Sequence, residues 1–102
     1  MPKKKSTPPT TTNAKRTHAG KLEKTIYTTE YSVVLLLLKE CREASGITQV
    51  DLAKLLGQTQ SFVSKIERGD RRLDIIQLRT ILQHFNLTLS DFVAKLEKQL
   101  TG

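Results

Sequence analysis

Only three residues, Gly57, Gln58 and Thr59, separate two segments that each carry the marks of a short helix. Before the link, Thr48-Gln49-Val50-Asp51 has the form of a capping box, in which a threonine hydroxyl and an acidic side chain three residues on satisfy each other's backbone N–H groups. It opens a helix ending at Leu56, with Val50, Leu52, Ala53 and Leu56 as apolar positions and Gly57 as the stop. After the link, Thr59 caps a helix reaching about Arg68, where Gly69 ends it. Two short helices joined by so tight a turn form a helix-turn-helix, provided that the second has a polar outer face.

That condition is met. On a wheel of about 100° per residue with Gln60 at zero, Ser64 falls near 40°, Arg68 near 80°, Ser61 near 100° and Lys65 near 140°. Phe62, Val63 and Ile66 fall between roughly 200° and 300° and pin the helix to a core. The polar row suits the major groove of DNA: Gln bridges adenine N6 and N7, Lys donates to guanine O6 and N7, and Ser serves either base. The alternative is a solvated helix face, but a groove-reading helix needs a preceding helix laid across the backbone, and the sequence supplies one.

Three further helices are expected. Thr29 is read as the cap of a first helix running to about Ala44, with Gly46 in the left-handed conformation behind it. Its stripe is Tyr31, Val34, Leu35, Leu38 and Cys41; Val33, Leu36 and Leu37 widen it, which fits either burial on most sides or contact with another segment or subunit. Asp74-Ile75-Ile76-Gln77 is another capping box, opening a fourth helix with Ile75, Leu78, Ile81, Leu82 and Phe85 as its core set and Asn86 near its end. Thr88-Leu89-Ser90-Asp91 starts the fifth, with Leu89, Phe92, Val93, Leu96 and Leu100 apolar. The expected fold is all-α, five helices, with no strand signal and no internal repeat.

Composition sets the remaining bounds. With 102 residues and 37% of them apolar, the chain has material for one small core. Its net charge is +7, yet residues 1–30 hold seven basic and two acidic residues, leaving ten and eight for the rest. Function in the body must therefore rest on geometry rather than on bulk charge. Residues 1–20, with Lys3, Lys4, Lys5, Lys15 and Arg16, read as a disordered basic tail that either lies along phosphates or the minor groove or serves only to solubilise the protein; residues 21–28 read as a lead-in segment and 29–100 as the domain.

The one cysteine, Cys41, sits on an apolar stripe and reads as an inert core thiol, which excludes a disulfide scaffold and fits a reducing compartment. No metal-ligand spacing, Gly-rich phosphate loop, Ser/His/Asp arrangement or paired carboxylate cluster is seen, so neither metal, cofactor nor enzymatic activity is expected. The longest apolar run spans six residues, 33–38, against roughly 18 for a membrane span, and the basic start is not followed by the apolar stretch of a secretory signal.

Residues 35–93 resemble the Cro/CI (Xre) family of phage-repressor-type helix-turn-helix domains, most closely in GITQVDLAKLLG, TQSFVSKIERGDRRLD and NLTLSDFV. The resemblance implies a five-helix repressor-like domain that binds double-stranded operator DNA, commonly as a homodimer. It places Gln60, Ser61, Ser64 and Lys65 at base-contacting positions and Gln49, Gln58, Thr59, Arg68, Arg71 and Arg72 against phosphates. Arg42 and Glu67 match a pair that forms a structural salt bridge between the first and third helices in related repressors. Cys41, where a larger aliphatic residue is usual, and the long apolar first helix depart from the family's common form.

The leading expectation is thus a sequence-specific transcriptional regulator, a repressor, of bacterial or phage origin, working in the cytoplasm at the nucleoid. No sensor domain is expected, because only a few residues follow the fifth helix. Two alternatives stay open: an antitoxin that represses its own operon while holding a toxin or other protein partner, and an adaptor that uses the same fold to bind proteins.

Overall fold

The structure, a computed structural model, describes residues 28–101. The basic tail and residues 21–27 of the lead-in segment lie outside the described residues. Five α-helices follow one another: α1 Thr29–Ala44, α2 Gln49–Leu56, α3 Gln60–Arg68, α4 Ile75–Gln83 and α5 Leu89–Thr101. No strand occurs among the described residues.

Helix starts follow from local side-chain chemistry. Capping boxes open α2 at Thr48 with Asp51 and α4 at Asp74 with Gln77. Thr88 and Asp91 make the same reciprocal pair ahead of α5, each hydrogen bond 3.0 Å long. Thr59 Oγ1 accepts the Phe62 backbone N–H at the start of α3. At α1 the expected cap, Thr29, is instead the first helical residue; Thr28 takes the capping place and its Oγ1 accepts the Tyr31 N–H at 3.0 Å. Two adjacent threonines offer the same chemistry, and only the hydroxyl three residues before a free N–H has the right reach.

The stops share one geometry. Behind α2 the Gln58 N–H returns to the Ala53 carbonyl and the Gly57 N–H to Lys54, while Gly57 holds φ at +67°. This is the double bond of a Schellman ending, and it turns the chain within the three-residue link. Asn86, at φ +59°, does the same work after α4, with the Leu87 N–H bound to the Leu82 carbonyl. Asparagine tolerates this conformation better than other residues with a Cβ.

One core joins the helices. Leu37, Leu38 and Cys41 of α1, Leu52 and Ala53 of α2, Val63 and Ile66 of α3, Ile81 and Leu82 of α4, Phe85 and Phe92 are all buried in it. Complete burial of a leucine or phenylalanine is worth about 1.5–3 kcal/mol, so this cluster supplies the main drive for packing α1 against α3 and α5, α2 against α3, and α4 against α5.

Several expected core positions face water instead. Ile75 is 61% exposed: it lies in line with Leu82 but in the first turn of α4, ahead of the part of the helix whose Ile81 and Leu82 are buried in the core. Val50, Val93 and Leu100 are exposed on the outer sides of α2 and α5. In α1 the apolar excess divides: Leu37 is core, whereas Leu36 is 55% exposed.

Candidate nucleic-acid interface

Helix α3 is held from behind and open in front. Val63 and Ile66 are buried, and Phe62 is half-buried against the same core. Gln60, Ser61, Lys65 and Arg68 are exposed, Ser64 is half-buried, and Gln58 and Thr59 are exposed in the turn ahead. One face of a nine-residue helix therefore presents amide, hydroxyl, ammonium and guanidinium groups side by side.

A chain of polar contacts leads from the core to that face. Arg42 of α1 donates from Nε to Glu67 Oε2 at 2.6 Å and from Nη2 to Oε1 at 3.1 Å. Its Nη1 binds the Ile47 carbonyl at 2.8 Å, which ties the turn between α1 and α2 to the same guanidinium. Glu67 Oε1 also accepts from Gln49 Nε2 at 2.9 Å, and Gln49 Oε1 accepts a long 3.4 Å bond from Gln60 Nε2. The buried ion pair thus orients the first residue of α2, which touches the first residue of α3.

Gln49 also stands at the N-terminus of α2, where unspent backbone N–H groups and the helix dipole favour an anion. Arg68 donates to Asp70 Oδ2 at 3.0 Å and to Ser64, so part of its donor set is used within the protein. Arg71 and Arg72 are exposed on the loop that joins α3 to α4. Arg72 lies near Tyr31; burial pushes the Tyr31 hydroxyl above the ordinary phenol range, and the Leu73 backbone and the Arg72 charge pull it partly back.

Two features of this surface are not evident from the helical wheel or from residue spacing. The Gln49 amide is engaged by Glu67, a contact 18 positions along the chain that no local pattern encodes. Phe62, read only as a core anchor, has its ring under the Arg71 guanidinium, 4.6 Å from Cζ to centroid. Its place at the edge of the apolar arc, beside Lys65, was the one available sign.

No group of three or more metal-ligating side chains occurs among the described residues. Nor is any of their helices long and apolar enough to cross a membrane.

The sequence pattern of the helix-turn-helix family matches residues 38–92, over half of the chain, and takes in the whole of α2 and α3. The chain belongs to the XRE-type helix-turn-helix family. It is also similar to a solved structure, an XRE-family like protein from Pseudomonas syringae pv. tomato str. DC3000, at 38% identity and a TM-score of 0.65. That similarity covers 85% of this chain and 96% of the other. No curated protein matches. Membership in this XRE-type family makes the chain a DNA-binding protein of the transcription-regulator class.

Proposed function

We propose that the protein is a sequence-specific repressor that reads operator DNA in the major groove with α3, as a homodimer. The observation that carries this reading is the outward face of α3, whose Gln60, Ser61 and Lys65 are exposed while the opposite face is packed. Gln60, Ser61, Ser64 and Lys65 contact base edges. Gln49, Gln58, Thr59, Arg68, Arg71 and Arg72 contact phosphates and fix the register without reading sequence.

A single domain spans too few base pairs to be selective in a genome, so two copies are needed on half-sites about 34 Å apart along one DNA face. Exposed Leu36 on α1 and Leu100 on α5 support the pairing by offering apolar surface outside the core. The cytoplasm, at the nucleoid, is the corresponding place of action.

The test is selection of binding sites from random duplexes, followed by competition of the recovered site against random-sequence DNA. A regulator prefers its site by a factor of about 10³ or more. Equal binding to both would reject sequence-specific regulation and leave the adaptor reading.

A further inference from the structure

The exposed arginines around α3 are held in different ways. Arg68 spends Nε on Asp70 and Nη1 on Ser64. Arg71, by contrast, has neither a hydrogen bond nor an ion pair among the described residues, and its guanidinium lies over the Phe62 ring.

Phe62 is fixed at both ends of this contact. Its backbone N–H is bound to Thr59 Oγ1 at 3.1 Å, and its side chain is half-buried against the core beside Ile76 and Ile81. A loop cation thus meets a ring that is packed against the core. The attraction between a guanidinium and an aromatic face uses the ring's quadrupole and consumes no N–H donor. A carboxylate in the same place would occupy two of the five donors and cancel the charge.

We propose that Phe62 is a positioning residue for Arg71: the ring holds the guanidinium beside the recognition helix with its donors uncommitted, ready for a DNA phosphate. The proposal rests on the reading of Arg71 as a phosphate contact. An arginine held before binding has less rotamer freedom to lose when it is immobilised on DNA, so the ring raises affinity without touching the nucleic acid.

The experiment measures binding of the full chain to a labelled random-sequence duplex across a salt series, because a phosphate contact acts on any sequence. Four variants are compared: Arg71→Ala, Phe62→Leu, Phe62→Tyr and the combination of Phe62→Leu with Arg71→Ala. Arg71→Ala is expected to weaken binding and to flatten the slope of log affinity against log salt by about one. Phe62→Leu should weaken binding by about two- to five-fold while Arg71 is present and have no effect once Arg71 is alanine; Phe62→Tyr, which keeps the ring, should match the wild type.

An equal loss from Phe62→Leu in both backgrounds would show that the ring serves only the fold and would overturn the proposal. Unchanged affinity and salt slope in Arg71→Ala would instead overturn the phosphate reading beneath it. Should Phe62→Leu fail to fold, the wild type decides: the Arg71 δ-methylene protons are expected upfield of their usual NMR position, under the ring current. Their appearance at the usual position would also overturn the proposal.

Discussion

Arg42 and Glu67 form a twofold hydrogen-bonded ion pair between α1 and α3, with 8% and 6% of their side chains exposed. Arg42 also holds the Ile47 carbonyl, and Glu67 holds the Gln49 amide. A pair so enclosed costs desolvation to form, and the loss of one member leaves the other charge buried alone.

Glu67→Ala is accordingly expected to cost about 3–5 kcal/mol of stability. Replacing both residues by apolar side chains of similar size should cost much less, read as the midpoint of denaturant unfolding. The double variant should still bind DNA more weakly than the wild type, because Gln49 loses the carboxylate that orients it. Full affinity in a folded double variant would separate the ion pair from the DNA-facing surface.

Gly69 ends α3 at φ +83°, and a Cβ there would stand 3.2 Å from Leu35 Cδ1. Leu35 is buried and would have to give way by a few tenths of an ångström. Gly69→Ala is expected to lower stability by about 1–2 kcal/mol from the left-handed backbone alone, with the contact adding to it. At Gly57, φ is +67° but no atom lies within 4 Å of the added Cβ, so Gly57→Ala should be the milder change. Thermal melts of the two variants in parallel check the order.

The punctuation of this fold was legible because it is local: Thr48, Thr59, Asp74, Gly57, Gly69 and Asn86 act on backbone groups within a few residues. The outward row of α3 was legible for the same reason, since its polar and apolar sides are sharply divided. In α1 the run of six apolar residues carries no such division, so periodicity could not tell buried Leu37 from exposed Leu36. Ile75 misled because an apolar residue in a first turn satisfies the spacing without reaching the core. The engagement of Gln49 by Glu67 and of Arg71 by Phe62 depends on how α2, α3 and the following loop are brought together, which only the packed fold determines. The family resemblance supplied Arg42 and Glu67, which residue spacing alone would not have joined.

Acid should weaken the caps. Asp51 and Asp91 have pKa values held below the ordinary aspartate range, first by the backbone N–H groups of Thr48 and Thr88 and then by the hydroxyls of the same residues. A carboxylate whose folded pKa is depressed contributes stability above its unfolded pKa, near 3.9, and loses that contribution as pH falls through the folded value. The wild type is therefore expected to melt higher than Asp51→Ala and Asp91→Ala near neutrality. The gap in Tm should narrow as pH falls below about 4. A gap that stayed constant into acid would show that the carboxylate charge is not what stabilises these helix starts.

The division of labour on the DNA-facing side can be separated by sequence dependence. Gln60 and Lys65 project from the exposed face of α3, whereas Gln49 stands at the start of α2 and Arg72 on the loop after α3. Replacing Gln60 or Lys65 by alanine is expected to cost about 1–3 kcal/mol on the selected site and to relax preference at one base position. Gln49→Ala and Arg72→Ala should instead weaken all sequences by similar factors, and Arg72→Ala should also make the salt dependence shallower, since it removes a counterion-releasing charge. Gln60 carries one complication, its contact with Gln49 Oε1. Its removal frees that oxygen, so Gln60→Ala and Gln49→Ala together should fall short of the sum of the single losses. Affinities of the single and double variants on the selected site and on single-base variants of it decide the matter. A uniform loss from Lys65→Ala across all of those duplexes would move Lys65 from base reading to the backbone.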